Sequence, residues 1–161
     1  MIYVDQPVGT GFSYSVPDGE FLNTMDECAT EWVTFMKSLY AKYPELVNKP
    51  LYMAGESYAG KYLPVFSWSM LEDNTSSLSP FNLQATLIGD GYPAPYSQRL
   101  SMYKVPKAIN IIDEINMPQI AALERLCGDL LPSYDAAAES MCASPISYVT
   151  YDVGGGAYGY D

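Results

Sequence analysis

The apolar positions of this chain alternate between short continuous runs and stretches of helical spacing. Ile2 to Val4 is a β-branched and aromatic run stopped by Asp5-Gln6-Pro7, which predicts a strand entering a loop. Gly9, Gly11 and Pro17 suit that loop to a tight, irregular path. Thr24 and Glu27 have the spacing of a capping box, and Ala29, Trp32, Phe35, Met36, Leu39 and Tyr43 then recur at near-helical intervals. Residues 24 to 43 therefore read as an amphipathic helix, ended by Pro44. Leu51 to Ala54 is wholly apolar and predicts an interior strand. A sharp turn follows from Gly55 to Gly60, then a helix from Tyr58 to Glu72 with Pro64 near its first turns. The polar stretch from 73 to 80 reads as a loop. Leu83 to Ile88 predicts a third strand, stopped by Gly89-Asp90-Gly91.

Strand, helix, strand, helix, strand is the order of a parallel sheet with crossover helices. Beyond Pro93 the pattern changes. Residues 97 to 141 look mainly helical, with Ile115, Ile120, Leu123, Leu126, Leu130 and Leu131 as the apolar faces, and Arg125 is the single basic residue after Asp113. The division this suggests is a partial α/β core over 1–96, a helical insertion or lid-like segment over 97–150, and a flexible tail over 151–161. The tail is read from Gly154 to Asp161, which carries too much glycine for an ordered element.

Composition narrows the function classes. The chain has 161 residues, 48% of them hydrophobic, enough for a real core. A net charge of -11, with no cluster of Lys or Arg, opposes binding to nucleic acid or to anionic membrane surfaces. No apolar stretch is long enough to span a bilayer. The first residues, MIYVDQPVGTG, have neither the basic segment nor the apolar centre of a signal peptide, and a strand beginning at the second residue hints at truncation. Of Cys28, Cys127 and Cys142, the last two are near enough in sequence to close a short loop in an oxidising compartment; three unbridged thiols are the alternative. Asn74-Thr75-Ser76 meets the N-glycosylation pattern, which matters only in a secreted protein.

The sharpest chemical signal is Gly55-Glu56-Ser57-Tyr58-Ala59-Gly60, placed directly after an apolar run and before a helix. A nucleophile elbow holds its serine on a strained strand-to-helix turn, and needs small residues two before and two after it. Gly55 and Ala59 meet that need, Gly60 is the third small residue of the elbow, and the helix N-terminus would present the Tyr58 backbone N–H to an oxyanion. An ordinary βα turn that happens to contain a serine is the alternative. A serine hydroxyl needs a base, and the chain has no histidine. Lys61 is the nearest cation, but one turn into the helix it points away from where such a base approaches.

Three blocks together carry a family resemblance. They are Val4-Asp5-Gln6-Pro7-Val8-Gly9-Thr10-Gly11-Phe12-Ser13-Tyr14, then Gly55-Glu56-Ser57-Tyr58-Ala59-Gly60-Lys61-Tyr62, then Ile88-Gly89-Asp90-Gly91 with Gln98 after it. In this order and spacing the chain resembles the serine carboxypeptidases over roughly residues 1 to 150, departing where the family usually has asparagine in place of Asp90. The resemblance implies an incomplete α/β-hydrolase sheet with crossover helices and a helical insertion. It implies Ser57 as the nucleophile that attacks the C-terminal peptide bond, and the Tyr58 N–H as one of two oxyanion donors. Glu56 would be one of a hydrogen-bonded carboxyl pair that recognises the substrate's terminal carboxylate. Two close carboxyls discourage each other's ionisation, so one keeps a proton at acidic pH and can donate a hydrogen bond. A Cys127–Cys142 bridge would be in keeping, with Cys28 left odd. No cofactor and no metal are implied. The setting would be the secretory pathway (vacuolar, lysosomal or extracellular), where the Asn74 sequon gains meaning.

The same resemblance places the family's other oxyanion donor and partner carboxylate before the first residue here, and its catalytic aspartate and histidine beyond the last. The expectation is a truncated gene product, an incomplete gene model or one fragment of a processed protein, catalytically incomplete by itself. A second chain supplying the missing Asp and His would be one way to complete it. The substrates of a complete enzyme would be peptide or protein C-termini. Two rival readings remain: an esterase- or lipase-like fragment of the same fold, which Glu56 and the Asp5–Tyr14 block argue against, and a non-enzymatic binding module.

Overall fold

The computed structural model describes residues 1–15, 19, 21–73, 80–133 and 135–156. The Asn74 sequon lies outside them. The chain divides into two compact units, Met1–Pro93 and Ala94–Asp161.

The first helix, α1 (Met25–Lys42), starts where its capping box dictates. Thr24 Oγ1 accepts from the Glu27 N–H at 3.2 Å, while Glu27 Oε2 accepts from the N–H groups of Thr24 at 3.0 Å and Asn23 at 2.8 Å. These are backbone donors that a helix start leaves without internal acceptors. A single 3₁₀ turn (Pro44–Leu46) follows α1 and leads to β1 (Leu51–Glu56), α2 (Ala59–Asp73) and β2 (Leu83–Gly89). The strands pair in parallel, with Met53 opposite Thr86, Gly55 opposite Ile88 and Glu56 opposite Gly89. Parallel neighbours need a crossover, and α2 supplies it.

α2 packs against α1 and both strands. The core beneath joins Cys28, Ala29, Met36 and Tyr40 of α1 to Met53 of β1 and to Leu63, Phe66 and Met70 of α2. Trp32 stacks on Phe66 with ring centroids 5.0 Å apart, and its indole N–H donates to Met70 Sδ at 3.3 Å. Lys37 Nζ meets Asp73 Oδ1 at 2.6 Å, tying α1 to the end of α2.

Two expectations are corrected. Ile2–Val4 forms no ladder: an extended run becomes a strand only when another strand takes its hydrogen bonds, and the described residues offer none. β1 is not interior either. Met53 is buried while Tyr52, Ala54 and Glu56 are exposed, the period-2 alternation of a strand covered on one face only.

In the second unit, α3 (Pro95–Arg99), α4 (Lys104–Ala108), α5 (Met117–Leu130) and α6 (Ala136–Ser147) are followed by a π-helical stretch (Tyr148–Val153). A 3₁₀ turn at Leu131–Ser133 separates α5 from α6. Cys127 of α5 and Cys142 of α6 form a disulfide, and Cys28 is a buried free thiol. Ile112, Ile120 and Val149 make a second small core. Asp135 Oδ1 caps α6 by accepting from the Ala138 N–H at 2.9 Å, and Arg99 pairs with Glu139 at 2.7 Å.

These caps make stability depend on pH. The N–H groups of Asn23 and then Thr24 hold the Glu27 carboxyl below its ordinary value of 4.5, and the Ala138 N–H does the same for Asp135. A depressed folded value means stability present above the unfolded value and lost as pH falls through the folded one. Burial pushes Glu124 up, which acts in the opposite sense. Thermal melts from pH 6 down to pH 3 should therefore fall in Tm below the ordinary carboxyl range. Glu27→Gln should flatten that fall in the first unit, and an unchanged slope would mean the capping box is not formed in solution.

Candidate active site

The elbow is built by its neighbours. Ser57 lies between β1 and α2 with φ at 57°, in the left-handed region that costs a non-glycine residue about 1–3 kcal/mol unless its surroundings hold it there. Three backbone hydrogen bonds do so. The Ser57 N–H donates to Gly89 O at 3.0 Å, and the Ser57 carbonyl accepts from the N–H groups of Gly60 and Tyr92, each at 2.9 Å. Gly89 is the last residue of β2 and Tyr92 follows it closely. The end of one strand thus clamps the turn at the end of the other.

Side-chain size is set by the same packing. A Cβ on Gly55 would stand 2.5 Å from the Ala59 Cβ, so these two positions must be small together. A Cβ on Gly60 would run into the Tyr92 nitrogen and come within 3.0 Å of Gly91. Asp90 takes φ of 41° to turn the chain there. Sequence pattern had flagged Gly55, Ala59 and Gly60 as small. It missed Tyr92, which acts through its backbone and so leaves no side-chain signature.

The outcome is a turn on which Glu56, Ser57 and Tyr58 are all exposed. The Tyr58 N–H opens α2, among the donors that a helix start leaves unsatisfied within the helix. Around it stand aromatic rings and a cation. Tyr58 and Tyr62 have ring centroids 5.1 Å apart, and Tyr62 continues to Phe66 at 5.7 Å. Burial, with the Tyr58 and Cys28 groups adding to it, pushes the Tyr62 phenol up. Lys61 Nζ sits 4.6 Å from the Tyr58 ring centre, 3.4 Å from the Tyr58 hydroxyl and 5.3 Å from the Tyr92 ring centre.

The first block of the sequence folds as a closed loop. Asp5 Oδ2 accepts from the Phe12 N–H at 2.9 Å, and the Asp5 carbonyl accepts from Ser13 Oγ at 2.7 Å. Gly11, at φ of 56°, lies against the Asp5 carboxyl, where a Cβ would collide with it. In the second unit Gln98 Oε1 accepts from the Ala94 N–H at 3.0 Å.

A family model described as serine carboxypeptidase matches residues 1–152. The chain is 46% identical over 99 residues to the probable serine carboxypeptidase CPVL of Dictyostelium discoideum, covering 61% of this chain and 20% of that protein. It is 36% identical over 141 residues to the pheromone-processing carboxypeptidase KEX1 of Debaryomyces hansenii, covering 84% of this chain and 20% of that protein. Among solved structures it resembles the prohormone-processing carboxypeptidase KEX1(delta)P of Saccharomyces cerevisiae, with a TM-score of 0.74 and 27% identity. That match covers 91% of this chain and 34% of the other. The chain therefore spans about a fifth of the length of these curated relatives.

Proposed function

The chain belongs to the serine carboxypeptidase family, and from that premise we propose that it carries the nucleophile-bearing part of an enzyme that removes residues from peptide C-termini. The observation that carries this is the clamped turn: an exposed serine held at positive φ by Gly89 and Tyr92, on the end of a strand and before a helix.

In this reading the Ser57 Oγ attacks the last peptide carbonyl while a base takes its proton. The carbonyl oxygen becomes an oxyanion that accepts from the Tyr58 N–H, one of two donors. As the intermediate collapses, the C–N bond breaks and the free amino acid leaves with a proton from the same base. An ester at Ser57 remains, and water hydrolyses it by the reverse proton movements. Glu56, next to the serine, receives the substrate's terminal carboxylate through a carboxyl that shares a proton with a partner. Peptide termini are the substrates, a secretory compartment is the setting, and Asn74 is its glycosylation site.

Without a histidine in its sequence, this chain cannot supply that base itself. The Asp and His of the triad come from further polypeptide, either continuous with this one or a second chain. A fluorophosphonate read by intact mass tests this. The 161-residue chain alone should gain no mass at Ser57. Joined to or mixed with a polypeptide carrying the family's Asp and His, it should gain one label, lost in Ser57→Ala. Labelling that survives Ser57→Ala, or never appears in the folded complex, would remove Ser57 from the nucleophile's place.

A further inference from the structure

Basic residues are outnumbered by acidic ones in this chain, 8 against 19, so a lysine has many carboxylates to choose from. Lys37, Arg99 and Lys107 each take one. Lys61, like Lys42, Lys49, Lys104 and Arg125, forms no ion pair among the described residues, and what sets it apart is its aromatic surroundings beside Ser57. Its ammonium instead lies over the rings of Tyr58 and Tyr92 and near the Tyr58 hydroxyl, partly shielded from water and one turn from Ser57. Aromatic faces hold a cation without neutralising it. The charge therefore stays available to whatever lies along the Tyr58 ring.

We propose that Lys61 is a specificity-determining residue, which makes the Tyr58 side of the turn a subsite for an acidic substrate side chain and disfavours a basic one. The inference rests on the reading of the turn as a peptide site and adds to it the charge of the preferred substrate. Three features of the arrangement support it. The ammonium is fixed by two rings rather than free on a flexible stem, so less order has to be imposed when a carboxylate arrives. Tyr58 is itself exposed and adjacent to Ser57, so a substrate flanking the serine must pass the ring that Lys61 overlies. A basic side chain placed there would meet a like charge in a partly dehydrated setting, where repulsion is stronger than in bulk water.

The test is binding of three blocked dipeptides to the 161-residue chain near pH 6, followed by ligand-observed NMR. They differ only in the penultimate residue: benzyloxycarbonyl-Glu-Leu, benzyloxycarbonyl-Leu-Leu and benzyloxycarbonyl-Lys-Leu. The Glu peptide should bind about tenfold more tightly than the Lys peptide, and the ratio should shrink as salt is raised. Lys61→Met should bring the ratio to within about twofold, Lys61→Glu should reverse it, and Lys61→Arg should retain it, which guards against a folding defect. Measurable binding with a flat ranking in the native chain, or a ranking unmoved by Lys61→Met, overturns the inference and leaves the peptide-site reading intact. Failure of all three peptides to bind overturns the inference, and the peptide-site reading then stands or falls on the labelling of Ser57 in the completed complex.

Discussion

Gly60→Ala should destabilise the first unit, although helix propensity alone says that it should help. Gly60 lies in the first turn of α2, where replacing glycine by alanine is worth up to about 1 kcal/mol in the helix's favour. The added methyl, however, would run into the Tyr92 nitrogen and press on Gly91, and these are backbone atoms that cannot swing aside. Relief requires the 89–92 turn to move, which stretches the Tyr92–Ser57 and Ser57–Gly89 hydrogen bonds together. Overpacking of this kind costs about 1–3 kcal/mol, and the bonds that fix Ser57 add to that. Gly128→Ala in α5 is the matched control. There a methyl would find only Leu100 side-chain carbons at 3.7 and 3.8 Å, ordinary contact, and stability should rise by about 0.5–1 kcal/mol. Thermal melts of the two variants should therefore move in opposite directions. A Tm raised by both would mean that the elbow is loosely packed and that Ser57 is not held as described.

The same contrast shows what the sequence could and could not reveal. The α1 boundaries follow from residues that act locally: Thr24, Glu27 and Pro44 sit next to the backbone groups they satisfy or block. Ser57, Gly55 and Ala59 are likewise legible, because a strained turn restricts the size of its own side chains. Features that depend on distant partners are harder to read. Ile2–Val4 has the composition of a strand, but composition does not supply a neighbour. β1 reads as interior because its residues are apolar, and only the fold decides how many of its faces are covered. Residues 97–141 read as one helical region, whereas the structure breaks it at Asn110, with φ of 60°, and at Asp113, whose carboxyl accepts from the Ile115 N–H at 2.8 Å. Asp and Asn compete with helical backbone in this way wherever they occur, so their effect shows only in context. The part played by Tyr92 was invisible for a different reason, since any residue other than proline has the N–H it uses.

Phe66→Ala should be the most damaging single change in the first unit. The ring is 1% exposed, stacks on Trp32 with an interplanar angle of 8°, and touches the chain of rings that runs through Tyr62 to Tyr58. Truncating a buried phenylalanine removes its transfer energy and leaves a cavity, at a cost of about 3–5 kcal/mol. Against a total stability of about 5–15 kcal/mol for a domain, that is a third or more of what holds the unit together. The chain has two tryptophans, and Trp68 is exposed. In a Trp68→Phe background, fluorescence therefore reports Trp32 alone, and so the core of the first unit without interference from the second. The Trp32 transition should fall by more than about 10 °C in Phe66→Ala. Because Phe66 and Gly60 lie on one helix, loss of the ring also frees α2 to shift against the strand ends that clamp Ser57. Peptide binding at the turn should then weaken at temperatures where Trp32 still reports a folded core. A drop of only a degree or two would mean that contacts other than the Phe66 ring hold α2 to α1 and the sheet, and that they support the elbow together with the Gly89 and Tyr92 hydrogen bonds.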